Sequence, residues 1–284
     1  MIRPTTLLLF CAILASSQDQ KASQNKKVVY TKQELPLVAK VRALSELPYG
    51  IRGSMAMSIA LDIHRLPASL NKLRLADSLA FVSTAGDPGQ ATLQEVATTL
   101  ADALREQPGK LDPAYVDLAQ LVHYEHVNVS LDDPKFAAAM SRLEADDQHR
   151  REVDFTLADL KGKNWTLKDL RGKVVLVHFW ASWSRPSWQE MLDLEGLYQR
   201  FKKQDLVVLA ISSEKLELVA NYVKLQKITF PVLLDPEQKV AQLYKIVGAP
   251  KSFVYDREGK LVAQAIDVRT QKQLLNMLEQ TGLR

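Results

Sequence analysis

Two hydrophobic rhythms divide the chain. From Leu35 to Leu47, Val38, Val41 and Leu44 recur at helical spacing, and similar periods run through Met55 to Leu66, Leu70 to Val82, Leu93 to Leu104, Tyr115 to Val127 and Phe136 to Leu143. Thr31-Lys32-Gln33-Glu34 fits a capping box in front of the first period. Asp-Pro pairs at 87–88, 112–113 and 133–134 open three later turns or helices, with Asp as a cap and Pro in the first helical turn. The pattern predicts six helices over residues 31–150, arranged as an antiparallel bundle or helix-pair array. The Asp-Pro pairs are unequally spaced, so no repeat is assigned.

Asp146 to Arg151 is charged and apolar-free, and is read as a boundary. Beyond it the rhythm changes. Val174 to Trp180 and Leu206 to Ile211 are dense β-branched runs, while Trp188 to Phe201 and Val219 to Leu225 have helical spacing. Pro231 to Leu234, Ser252 to Tyr255 and Leu261 to Ile266 predict further strands, with Asp256 to Gly259 as a hairpin turn and Gln271 to Leu278 as a closing helix. Residues 151–284 are therefore expected to form an α/β domain around a mixed central sheet flanked by helices, behind an all-α domain.

The amino terminus changes the expected address. Arg3, the apolar run Leu7 to Ala15 and the small residues Ala15-Ser16-Ser17 read as a secretory signal peptide over residues 1–17, followed by a polar flexible spacer over 18–30. The apolar run is shorter than the roughly 20 residues that span a bilayer. The expected product is exported to a periplasmic or extracellular space, or tethered where the signal stays uncleaved, with no membrane span in the mature chain. The single cysteine, Cys11, lies inside that signal, so the mature chain would carry no thiol.

Charge narrows the partners. Residues 18–150 hold 15 basic and 17 acidic side chains, and residues 151–284 hold 21 and 16, dispersed rather than clustered. Nucleic-acid binders concentrate Lys and Arg on one face, so no nucleic-acid partner is expected. His123 and His126 flank Glu125 but lack a clear third ligand, so no metal is assigned. The sequons at Asn128 and Asn164 are patterns that chance supplies.

The stretch Val174-Val175-Leu176-Val177-His178-Phe179-Trp180-Ala181-Ser182-Trp183-Ser184-Arg185-Pro186-Ser187 resembles the strand, turn and helix start of thioredoxin-fold proteins of the TlpA/ResA type. The resemblance runs from about Asp154 to Arg284. It takes in Asp154 to Leu157, Leu167 to Lys173 and Val247 to Asp256 in family order. It implies a thioredoxin-like fold and membership of a thiol-disulfide oxidoreductase family whose turn reads Trp-Cys-x-x-Cys. There the first sulfur attacks as a thiolate at a helix N-terminus and the second resolves the mixed disulfide. Here both positions are serine, Ser184 and Ser187. A hydroxyl forms no disulfide and needs an adjacent base to act as a nucleophile.

The resemblance also places His178 where many thioredoxins hold a buried Asp, and Pro250 at the family's cis-proline beside an extended-peptide surface. His178 is expected to be a buried neutral imidazole rather than a base for Ser184. Trp183, Ala249 and Pro250 are the expected peptide-binding residues, with no cofactor. The leading expectation is a redox-inert, peptide-binding or chaperone-like module for unfolded or extended envelope polypeptides, or for a specific envelope protein. Two rivals stand beside it. One is a serine-based or thiol-ligand-binding enzyme at Ser184. The other is a partner-binding helical array with the thioredoxin fold as scaffold. A groove beside Pro250 and Trp183, or one on the helices, is the feature that separates them.

Overall fold

The computed structural model describes residues 28–246, 248–265 and 267–284. The expected signal and all but the last three residues of the spacer lie outside them. Within residues 28–36 the capping box forms: the Thr31 amide donates to Glu34 Oε2 at 2.7 Å and the Glu34 amide to Thr31 Oγ1 at 3.3 Å.

Six helices follow: α1 (Leu35–Leu44), α2 (Tyr49–His64), α3 (Leu70–Ser83), α4 (Gln90–Glu106), α5 (Asp112–Tyr124) and α6 (Pro134–Glu152). Their inward faces bury Ile59, Ile63, Leu73, Leu79, Leu100, Leu104, Tyr115 and Leu118. Ser69 and Asp133 cap α3 and α6 through side-chain oxygens, as short polar residues at such positions should. Asp112, expected as a cap, lies inside α5 as its first residue. In α2 the chain needs Gly53, because a Cβ there would sit 2.4 Å from the Pro88 carbonyl oxygen.

The charged run 146–151 is not extended chain but the last turns of α6. Its polar residues are held without apolar periodicity: Asp147 accepts from Tyr124 at 2.9 Å and from Arg150 at 2.7 Å, and both Asp147 and Arg150 are buried. Such pairing satisfies charges that would otherwise be costly to bury.

The remaining elements are β1 (Thr156–Ala158), β2 (Asn164–Thr166), β3 (Val174–Phe179), α7 (Arg185–Phe201), β4 (Leu206–Ser212), α8 (Leu216–Gln226), β5 (Val232–Leu234), α9 (Lys239–Leu243), β6 (Lys251–Tyr255), β7 (Leu261–Ala265) and α10 (Gln271–Glu279). Strands β1 and β2 pair as a hairpin. The main sheet runs β5-β4-β3-β6-β7, with β3, β4 and β5 parallel and β6 and β7 antiparallel to their neighbours. This mixed sheet with helices against it is a thioredoxin-like fold.

Strand parity sets the site. Val174 and Leu176 join Met191, Leu194, Leu274 and Leu278 in one core, while Val175, Val177 and Phe179 join Tyr244 and Phe253 in the other. Side chains alternate along a strand, so His178 falls on the first face, the one that α7 covers.

Residues 37–284 form one compact unit, and helices and sheet meet through named bonds. The Arg150 guanidinium donates to the Tyr244 carbonyl at 3.2 Å. Arg269 pairs with Glu125 at 2.5 Å, and the Gly86 amide donates to the Val268 carbonyl at 2.9 Å.

Candidate functional site

The carboxyl end of β3 turns at Ala181–Trp183 into α7. Ser184 is the N-cap of α7: its hydroxyl oxygen accepts from the Ser187 amide at 3.4 Å, and Pro186 occupies the first turn, where a missing N–H costs nothing. Ser184 and Ser187 thus sit where the sequence places them, in the opening turn of a 17-residue helix. Both are buried, and Ser187 Oγ has no hydrogen-bond partner. Arg185 and Pro186 between them are exposed.

The turn is tied down by a residue the sequence reading did not single out. Glu214, after β4, accepts from the Ser182 amide at 2.5 Å and from the Ser182 hydroxyl at 2.7 Å. The indole N–H of Trp188 donates to the Ser182 carbonyl at 2.5 Å.

Beneath the turn lies a fully buried polar layer. His178 Nδ1 is 2.9 Å from Ser252 Oγ and 3.6 Å from Glu190 Oε2, while its Nε2 has no partner. Burial drives the imidazole pKa down to about 3 and leaves the ring neutral. Glu190, also absent from the sequence reading, follows Ser187 by three residues on the same inward face of α7 as Met191 and Leu194. Its Oε1 accepts the Arg269 amide. Burial pushes the Glu190 carboxyl up to about 8, so it is protonated at neutral pH.

This arrangement does not make a serine nucleophile. The imidazole's bonded partner is Ser252 rather than Ser184, its low pKa makes it a poor proton acceptor, and the nearby carboxyl is neutral. The Ser184 oxygen already accepts a helix amide, and Ser187 is closed off from solvent.

The predicted peptide-binding residues surround an opening. Trp183 is 72% exposed. With Phe179, Trp180, Ile246, Gly248 and Ala249 it lines a cleft of about 250 Å³ whose polar rim includes Ser213 and Asp235. The Ala249–Pro250 peptide bond is cis, and Pro250 is buried. A second, larger groove of about 510 Å³ lies on the helices between Val41, Asp77, Phe81 and Asp117. The structure therefore carries both of the features that were to separate the binding readings.

The two histidines of the helical region line one opening but are held differently. His123 Nε2 lies 2.7 Å from Asp147, whereas His126 is exposed. Among the described residues no group of three or more potential metal ligands forms. Nor is any described helix long and apolar enough to cross a membrane.

Comparison with known proteins converges on the same part of the chain. The AhpC/TSA family pattern matches residues 150–264. The thiol-disulfide oxidoreductase ResA of Bacillus cereus is 35% identical over 127 residues, which is 44% of this chain and 73% of that protein. ResA of Bacillus subtilis is 32% identical over 122 residues, 43% of this chain and 68% of that protein. A solved thiol:disulfide interchange protein of the thioredoxin family from Chlorobium tepidum aligns with 26% identity and a TM-score of 0.42, over 45% of this chain and 92% of its own.

Proposed function

Because the chain belongs to the ResA-type thiol-disulfide oxidoreductase family, we propose that it is a redox-inert member exported from the cytoplasm to bind extended or partly unfolded polypeptide. The observation that carries this reading is the juxtaposition at one turn: serine at both sulfur positions, beside an open cleft that retains Trp183 and Ala249. Two-electron transfer needs a thiol pair, and none is present at the turn. The cleft, part aromatic and part polar, and the loop at Gly248–Ala249 suit an added extended strand, where main-chain pairing supplies affinity with little sequence demand. Without a mixed disulfide to hold the substrate, complexes should be on the order of micromolar or weaker.

The helical groove supports a second reading, a partner-binding helical region with the thioredoxin fold as scaffold. Phe81 at its edge is 71% exposed. Burial and the neighbouring Asp117 push the Asp77 carboxyl up to about 7, and a basic side chain bound there would relieve that repulsion and draw the carboxyl to its charged form.

One experiment separates them: fluorescence titration of the mature protein with reduced, carboxymethylated lysozyme, in wild type, Trp183→Ser and Phe81→Ser. The leading reading expects saturable binding, weakened about tenfold or more by Trp183→Ser and unchanged by Phe81→Ser. Binding lost only with Phe81→Ser would transfer function to the helices, and no saturable signal would overturn the polypeptide-binding reading.

A further inference from the structure

The flank of the site opposite the Trp183 cleft is covered by the protein's own chain. The segment Asp267–Arg269, between β7 and α10, touches the buried layer directly, since the Arg269 amide donates to Glu190. The turn between α3 and α4 lies on its outer side. Gly86 donates its amide to the Val268 carbonyl at 2.9 Å, Thr84 Oγ1 donates to Asp267 Oδ2 at 2.5 Å, and the Thr84 carbonyl accepts from the Arg269 guanidinium at 3.3 Å. The same guanidinium reaches Glu125 just past α5 at 2.5 Å, and both side chains of that pair are more than nine-tenths buried.

Local geometry fits Gly86 to this contact. Its φ is +85°, in the left-handed region, and a Cβ would meet the Tyr49 ring at 2.5 Å. Its amide occupies the Val268 carbonyl, a main-chain acceptor of the kind that pairs with an added extended peptide. We infer that the Thr84–Gly86 turn is an intramolecular cover that closes the Val268 flank of the site, latched by the buried Arg269–Glu125 ion pair. This rests on the polypeptide-binding reading and adds a regulatory element to it. Release of the latch frees the Val268 carbonyl, admits water toward Glu190 and widens docking from one flank to two.

The pair is suited to be a latch because its two members sit on different layers and leave solvent together. Removing one charge of a buried pair leaves the other uncompensated, so the contact is sensitive to a single change. The residues facing Arg269 include Thr84 and Glu125 on the helical side and Glu190, Asp267 and the like-charged Lys251 on its own, and of these Glu125 is the one that joins it to the helices by charge.

The test uses the mature protein and two variants outside the cleft, Glu125→Gln and the milder Thr84→Val. Amide hydrogen exchange is read at Gly86 and Arg269, and affinity is read with reduced, carboxymethylated lysozyme. A cover predicts exchange at those two amides roughly tenfold faster in Glu125→Gln and less so in Thr84→Val, with β3 amides unchanged, and probe affinity raised about three- to tenfold. Unchanged exchange at both amides overturns the latch, and faster exchange without a gain in affinity overturns the cover. If wild type binds through Trp183 but the variants bind no better, the inference fails while the polypeptide-binding reading stands. If only the variants bind, the cover holds and the reading of the open Trp183 cleft as the docking site in wild type falls. If none binds, both fall.

Discussion

The two flanks of the Ser184 turn are built by opposite means. On one side Trp183 projects into solvent, and Gly248 and Ala249 line a cleft that no other part of the described chain fills. On the other, Gly86, Thr84 and Glu125 from the helical layer bond to the Asp267–Arg269 segment, and Arg269 in turn seals Glu190. The difference teaches that the helical layer is part of the site's construction as well as a neighbour of the sheet. It also explains the neutral polar layer below. A histidine held near pKa 3 beside a carboxyl held near 8 is what complete exclusion of water from both groups produces.

Restoring chemistry at the turn would sharpen the contrast most. With Ser184→Cys and Ser187→Cys together, oxidised glutathione should convert the pair to a disulfide, and with reduced glutathione as the electron donor the pair should turn over a linear peptide disulfide. Wild type should show no such turnover. Titration of free thiols before and after oxidation checks the first step. Two thiols that persist would show that the turn lacks the family's geometry.

Stability against pH reads the closed side. Glu190 has a folded pKa near 8 against an ordinary 4.5, so the folded state binds the extra proton between those values and stability falls as pH rises through them. His178 has a folded pKa near 3 against an ordinary 6.5, so stability falls as pH drops through that window. Of this pair's contribution, the slopes cancel between 4.5 and 6.5. An alkaline limb from Glu190 follows from 6.5 to 8 and an acid limb from His178 lies below 4.5, each of roughly 1 kcal/mol per pH unit, on top of the fall that Asp77, raised to about 7, adds as pH rises toward 7. Denaturant titrations at several pH values check this. Glu190→Gln should flatten the alkaline limb and leave the acid limb in place.

The smallest expected effect concerns the open side. Glu214→Gln keeps the shape but weakens two bonds to Ser182, and should cost about 1 kcal/mol. Indole emission should change as the Trp183 turn loosens. An unchanged spectrum would show that the turn does not depend on Glu214.

Much of this was legible in the sequence, for identifiable reasons. The β-branched run of β3 and the family blocks placed Ser184, Ser187, His178 and Pro250 on the right elements, because the site is local to one strand, one turn and one loop. Glu190 was legible in principle: it follows Ser187 by three residues and shares a helical face with Met191 and Leu194, but an isolated acid on a helix ordinarily reads as solvated. The length of α6 was hidden because Asp147 and Arg150 are buried by pairing rather than by apolar character. The Arg269–Glu125 contact spans 144 residues, and no local pattern announces it. The β1–β2 hairpin was too short to show a period, and its turn is held by Asp159 accepting from the Lys161 and Lys163 amides.

The account's central claim is that one open flank of a chemically silent turn binds polypeptide. It is tested most directly by the hydrogen-exchange footprint of the wild-type protein with and without reduced, carboxymethylated lysozyme. The prediction is slower exchange at Trp183, Gly248 and Ala249, with Gly86 and Val268 unchanged. Protection centred on Phe81 and Asp117, or no protection at Trp183 and Ala249 at saturating probe, would contradict it.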